Sequence, residues 1–158
     1  MKLQQSSRRV VKGDLIELAL QGAFDVIVHG CNCFCTMGAG IARAIQIQFP
    51  EAYAADLMTN KGDRNKLGFF SSATVTENGH NITIVNGYTQ FQHSGSPPLV
   101  DYDAVEGLFR KIKKEFSGKR IGYPKIGAGL AGGDWERIEH IINRELFLED
   151  HTLVIYVP

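Results

Sequence analysis

The chain is poor in cysteine, tryptophan and proline, with three, one and five copies in 158 residues, and neither sign of charge is in surplus. All three cysteines fall at positions 31, 33 and 35. An odd number in one short stretch excludes a disulfide framework, and a reducing cytoplasm is the expected setting. Lysine plus arginine and aspartate plus glutamate both number 17, so no global field draws the chain to nucleic acid or membrane. That balance still allows a local basic patch. No apolar run approaches the ~18 residues of a membrane span. The opening MKLQQSSRRV has no apolar segment behind its charges, so neither signal peptide nor anchor is expected. Repeats, linkers and low-complexity tracts are also missing, and the length suits one domain, 1–158, with a real core.

What is present alternates between strand and helix patterns. Short strands are expected at 9–12 and 25–29, the second (DVIVH) apolar throughout, as in strands buried on both faces. Helices are expected at 15–20, 41–49 and, beyond Pro50, 51–58. Residues 67–76 and 81–87 read as strands joined at Glu77-Asn78-Gly79, whose Asn-Gly pair is a hairpin signal. The stretch 87–100 carries too much Gly, Ser and Pro for regular structure. A helix follows over 103–116, where Asp103 and Glu106 can form a capping box. A strand at 120–126, a helix at 134–146 and a strand at 153–157 complete the series. The expected architecture is one three-layer α/β/α domain with a mixed, largely parallel sheet.

The cysteines sit in HGCNCFCTMGAGIA (29–42), which raises three readings: a metal site, a redox centre or an anion loop. Structural zinc takes four Cys or His ligands, usually in two pairs far apart in sequence. Here the spacing is one residue, no second cluster exists, and adding His29 would crowd the ligands into one turn. Nothing nearby is certain to lower a thiol pKa, so small half-buried cysteines are the plainer reading. Glycines after a strand and before a helix can instead converge backbone N–H groups on an anion. YPKIGAGLAGGDWERI (123–138) repeats that arrangement, with Gly127, Gly129 and Gly132 matching G-x-G-x-x-G. A dinucleotide fold would need a βαβ unit after it, and only one strand remains. No G-x-x-x-x-G-K-[ST] element is present, which argues against P-loop chemistry. Two such loops at strand ends could grip a diphosphate from both sides.

These stretches together resemble a macrodomain, the ADP-ribose-binding module, over nearly the whole chain. VKGDLIELA (11–19) is similar to the family's opening strand and Gly-Asp-aliphatic turn, implying that Asp14, with Leu15 beside it, meets the adenine. VHGCN (28–32) stands where many macrodomains have Asn-Ala-Ala-Asn, implying that Asn32 contacts the distal ribose. MGAGIA (37–42) resembles the first diphosphate loop, implying ligand contacts from Met37, Gly38, Ala39, Gly40 and Ile41. PKIGAGLAGGDWE (124–136) resembles the second, implying contacts from Gly127, Ala128, Gly129, Leu130 and Ala131. Tyr88, Thr89 and Gln90 follow a strand end and are candidates for the distal-ribose pocket.

Within the family, His-x-Cys-Asn ahead of Gly-x-Gly-Ile-Ala is similar to two subgroups. One is the fungal-type ADP-ribose 1''-phosphate phosphatases; the other is the glycohydrolases that remove ADP-ribose from glutamate or DNA. Those glycohydrolases use a lysine after the strand equivalent to 82–85, where this chain has NGYTQFQ with Thr89 or Gln90 at that position. The human-type member also has an aspartate after its Gly-x-Gly-Leu, where this chain has Ala131. Both departures count against a lysine-dependent glycohydrolase.

The expected function is therefore ADP-ribose binding with hydrolysis of ADP-ribose 1''-phosphate, and the alternative is a reader of ADP-ribose, free or attached to macromolecules. His29 is expected at the ligand rim, where an imidazole could move the proton, although it could equally bond a carbonyl. Asn32 would orient the ribose or a water, since an amide is no general base. Asp14 could also be a helix cap, Asp134 is read as the cap of the last helix, Trp135 as core, and His93 as solvated or near the distal ribose. No metal and no cofactor are expected, and a monomer is.

Overall fold

A computed structural model describes residues 8–158. Six strands form one sheet: β1 (Arg8–Gly13), β2 (Val26–Cys31), β3 (Phe70–Glu77), β4 (His80–Tyr88), β5 (Ile121–Tyr123) and β6 (His151–Tyr156). Their order is β1-β6-β5-β2-β4-β3. Every neighbouring pair is parallel except β3 with β4, the hairpin closed by Asn78 and Gly79, both at positive φ. The mixed, largely parallel sheet expected from the sequence is therefore present.

Alternation along the central strands explains the three layers. Val26 and Val28 of β2, Val85 of β4 and Leu153 of β6 point into one apolar cluster. That cluster is closed by α4 (Tyr102–Phe116) and α5 (Trp135–Glu145), through Leu108, Phe109, Ile138 and Ile142 among others. Ile27, Ile82, Ile84 and Val154 point the other way, against α1 (Leu15–Leu20), α2 (Gly40–Gln48) and α3 (Pro50–Leu57). A strand with both faces covered has no polar side to show, which is why DVIVH reads as continuously apolar.

Caps place the helix starts. Asp14 accepts from the Glu17 amide at 3.0 Å and Asp134 from the Glu136 amide at 3.1 Å, so both expected caps exist. The capping box at Asp103 and Glu106 does not. Asp101, still extended, accepts from the Ala104 amide at 3.0 Å and starts α4 earlier, while Glu106 pairs with Arg110 and Arg144. The strand expected over 120–126 shortens to β5 because Pro124 has no amide to pair. Among the described residues no helix is long and apolar enough to cross a membrane.

Candidate functional site

Parallel strands deliver their carboxyl ends to the same edge of the sheet, and loops leaving those ends enclose whatever lies between them. Here the ends of β2 and β5 open on a cleft of about 560 Å³, within the range of small-molecule sites. Residues 30–32 and 36–42 line it from the first loop and 124–127 and 129–131 from the second, together with Asp56, Gln90 and His93. The two glycine loops do face each other across one space.

The loops owe their glycines to two different causes. Gly40 and Gly127 have φ of +57° and +75°, a backbone region that side chains strain to enter. Gly38 and Gly129 are not in that region, and a Cβ on either would meet no protein atom within 4 Å. Both line the cleft. Packing does not require glycine there, whereas close approach of a ligand to the backbone would.

The start of α2 is electrostatically distinct. α1, α4 and α5 each begin with an aspartate whose side chain accepts a first-turn amide. α2 begins at Ala39 and Gly40 with no side-chain cap and no acid in its first turn. Its free N–H groups and the positive end of its dipole therefore lie beside the cleft without a built-in anion. Met37, Gly38, Ala39, Gly40 and Ile41 all line the space, as do Gly127, Gly129, Leu130 and Ala131; Ala128 does not. Leu130 is 79% exposed, a large apolar side chain held at the mouth.

Asn32 also lines the cleft, but its amide is engaged in shaping the loop: Oδ1 accepts from the Phe34 amide and Nδ2 donates to Thr36 Oγ1, both at 2.7 Å. The cysteines are buried rather than half-buried. Burial pushes the Cys31 and Cys33 thiols up from their ordinary pKa, which keeps them protonated and inert. Lys66 donates to the Cys33 carbonyl and to Cys35 Sγ, pinning the cysteine turn. No group of three or more Cys, His, Asp or Glu able to hold a metal exists among the described residues.

The expectation for His29 is corrected. Continuing the β2 alternation, its ring follows Ile27 into the α1–α3 side of the sheet; it is 0% exposed and is not part of the cleft lining. Nε2 lies 2.7 Å from Asn86 Oδ1, and burial holds the imidazole down at about pKa 4, so the ring is neutral. A strand end is a rim only where nothing covers it, and here α3 does. Of the proposed distal residues, Gln90 reaches the cleft, while Tyr88 and Thr89 are buried beneath it. Asp14 and Leu15 lie outside the lining. His93 is both exposed and part of the cleft.

Sequence reasoning missed Asp56, Lys125, Thr36, Pro124 and Ile126, all of which line the space. Lys125 brings a cation to the second loop and stands in the quoted motif. Asp56 had no such signal. It lies on α3, is 1% exposed, and accepts from the Tyr88 hydroxyl at 2.7 Å through Oδ1. Its Oδ2 has no hydrogen-bond partner. Burial raises its carboxyl pKa, opposed by the Tyr88 hydrogen bond and the charge of Lys66.

No protein-family model matches the chain. Among known proteins it is 36% identical over 140 residues to an uncharacterized 17.5 kDa protein of the tk-vs intergenic region of Enterobacteria phage T4, covering 85% of this chain and 87% of that one. An ADP-ribose 1''-phosphate phosphatase of Candida albicans is 28% identical over 138 residues, covering 82% and 87%. A DNA ADP-ribosyl glycohydrolase of Mycobacterium tuberculosis is 29% identical over 150 residues, covering 92% of this chain and 41% of that protein. Among solved structures, the macrodomain of Thermus aquaticus DarG superimposes with a TM-score of 0.73 at 23% identity, covering 96% and 98%. Thermosipho africanus DarTG in complex with ADP-ribose gives 0.70 at 19% identity, covering 95% of this chain and 42% of that one.

Proposed function

Because the chain belongs to the macrodomain family, we propose that its cleft binds ADP-ribose and that it hydrolyses ADP-ribose 1''-phosphate to ADP-ribose and phosphate. The observation that carries the binding is the pairing of two glycine loops, bare of side chains at Gly38 and Gly129, with the uncapped start of α2. Free amides on both sides suit a diphosphate, and Lys125 adds a charge. The distal ribose then lies toward Asn32, Thr36, Gln90 and His93, which supply hydroxyl, amide and imidazole partners. Asp14 keeps the adenine role implied by the family's Gly-Asp turn, with one carboxylate oxygen already bonded to the Glu17 amide. Loop amides directed at a terminal phosphoryl group would stabilise the charge that grows as water attacks. Three cysteines within five positions offer no disulfide framework, which supports a reducing, cytoplasmic setting.

A second reading, a module that holds ADP-ribose without turning it over, is favoured by one observation: the histidine once expected at the rim is sealed in the core. Removal of ADP-ribose from protein or DNA is less favoured, since Thr89 or Gln90 stands where the resembled glycohydrolases carry lysine. Titration calorimetry with ADP-ribose and AMP, followed by phosphate release from ADP-ribose 1''-phosphate, separates the readings. ADP-ribose should bind in the micromolar range, about −8 kcal/mol, and more tightly than AMP, which fills only part of the cleft. AMP binding as tightly would defeat the assignment of the ligand; binding without phosphate release would leave the reader.

A further inference from the structure

A file of hydrogen bonds runs from the buried core to the cleft floor, and its polarity can be assigned. Asn86 Nδ2 donates to the Ala52 carbonyl at 2.9 Å and to Ser71 Oγ at 3.0 Å, so its Oδ1 is the atom facing His29 Nε2. His29 therefore donates. The Tyr88 hydroxyl donates to Asp56 Oδ1, so in the 2.7 Å contact between Ser71 and Tyr88 the serine is the donor. Every donor in the series His29, Asn86, Ser71, Tyr88 points toward Asp56. The series ends on a carboxylate whose other oxygen, Oδ2, is unpartnered, buried, and in a residue that lines the cleft beside the proposed distal-ribose end.

A buried polar atom left unsatisfied is costly, and natural proteins rarely retain one without a use. The charged and titratable groups around Asp56 are few. They are Lys66, which is bonded to Cys33 and Cys35 rather than to the carboxylate, Tyr88, and the three thiols of the cysteine turn. Thr59 Oγ1 and Cys35 Sγ donate to the Asp56 main-chain carbonyl and fix that end of α3. The carboxylate is thus held by one neutral donor, Tyr88, on Oδ1, while Oδ2 is buried without a partner.

We propose that Asp56 is the general base of this cleft, accepting through Oδ2 the proton of the water that attacks the terminal phosphorus, with Tyr88 as its positioning residue. The proposal rests on the phosphatase reading above. The water oxygen forms a bond to phosphorus, and the bond between phosphorus and the 1''-oxygen breaks with its electron pair staying on the sugar. The water's proton passes to Oδ2, the sugar oxygen takes a proton from solvent, and Asp56 later returns its own to solvent. Asp56 lines the cleft yet is only 1% exposed, so a small molecule such as water, rather than the sugar, is the partner that Oδ2 would take.

The test compares wild type with Asp56→Asn, which preserves shape and an acceptor for Tyr88, and with Tyr88→Phe. Phosphate release from ADP-ribose 1''-phosphate should fall on the order of a hundred- to ten-thousand-fold in Asp56→Asn. ADP-ribose affinity should stay within about threefold, because the loops supply the binding. Tyr88→Phe removes a donor that favours the charged carboxylate, so the acidic limb of its pH–rate profile should move to higher pH. Turnover that survives Asp56→Asn overturns the role of Asp56 and leaves the phosphatase standing. Wild type that binds ADP-ribose but releases no phosphate overturns both. Should Asp56→Asn fail to fold, Tyr88→Phe decides alone: an unmoved acidic limb rejects the proposal, and a displaced one supports it.

Discussion

Tyr123 and His151 are stacked, with ring centroids 5.8 Å apart and planes 21° from parallel, and the Tyr123 hydroxyl lies 2.7 Å from His151 Nδ1. The imidazole is fully buried, and its Nε2 has no partner. Burial, helped by the nearby charge of Arg8, holds its pKa down at about 4, as burial does for His29.

Both histidines therefore fold neutral, and the sign of the pH effect follows. Above pH ~6.5 neither state takes up a proton and the stability is complete. Between ~6.5 and 4 only the unfolded chain protonates, so acidification should remove stability, on the order of 3 kcal/mol per histidine. Urea melts at pH 7.5, 5.5 and 4.5 should show that loss. His151→Phe should have a shallower dependence than wild type; an identical slope would assign the acid sensitivity elsewhere.

Asp14 can be split into its two roles. Asp14→Ala removes the bond to the Glu17 amide and should cost ~1 kcal/mol of stability. It should also weaken ADP-ribose by ~1.5–3 kcal/mol if the carboxylate meets the adenine amino group. Asp14→Asn caps nearly as well, so its melt should match wild type while its affinity falls. Equal ADP-ribose affinity in a folded Asp14→Asn and Asp14→Ala, both unchanged from wild type, refutes adenine recognition.

Two glycine substitutions should behave in opposite ways. Gly38→Ala places its methyl in open space and should leave stability within ~0.5 kcal/mol while lowering ADP-ribose affinity at least about tenfold. Gly30→Ala would set its Cβ 2.7 Å from Thr89 Oγ1 and 3.2 Å from Ile126, so it should destabilise the fold by ~1–3 kcal/mol. Calorimetry and a thermal melt on each protein check the contrast. Unaltered ADP-ribose binding in Gly38→Ala would mean that the first loop does not touch the ligand.

Chelation should change neither fold nor ligand binding. Burial keeps the Cys31 and Cys33 thiols protonated, and no metal-type cluster exists among the described residues. Calorimetry before and after prolonged EDTA treatment tests this, and stoichiometric zinc lost together with ADP-ribose affinity would reverse it.

Much of the fold was legible because local signals decide it. Asp14 and Asp134 mark helix starts, Asn78-Gly79 marks a hairpin, and Pro50 separates two helices. The capping box failed because two aspartates stand at the start of the same helix, and only backbone geometry made Asp101 the cap and put Asp103 in the first turn. The glycine loops were legible as the two sides of one cleft, since strand, glycine and helix follow in sequence. His29 was misplaced for a different reason: its alternation is visible in DVIVH, but that α3 covers the end of β2 is a fact of packing. Asp56 was invisible. It is brought to the cleft by contacts with Tyr88, 32 residues away, and no motif announces it.

The bare start of α2 has a consequence for how this protein should respond to its surroundings. A grip made mainly from main-chain amides does not depend on a cluster of mobile cations, so binding should weaken only gently as ionic strength rises. It also asks little of the residues beside the glycines. Under this proposal the peptide units would hold the anion, so a chain with formal net charge zero could bind one without a basic patch.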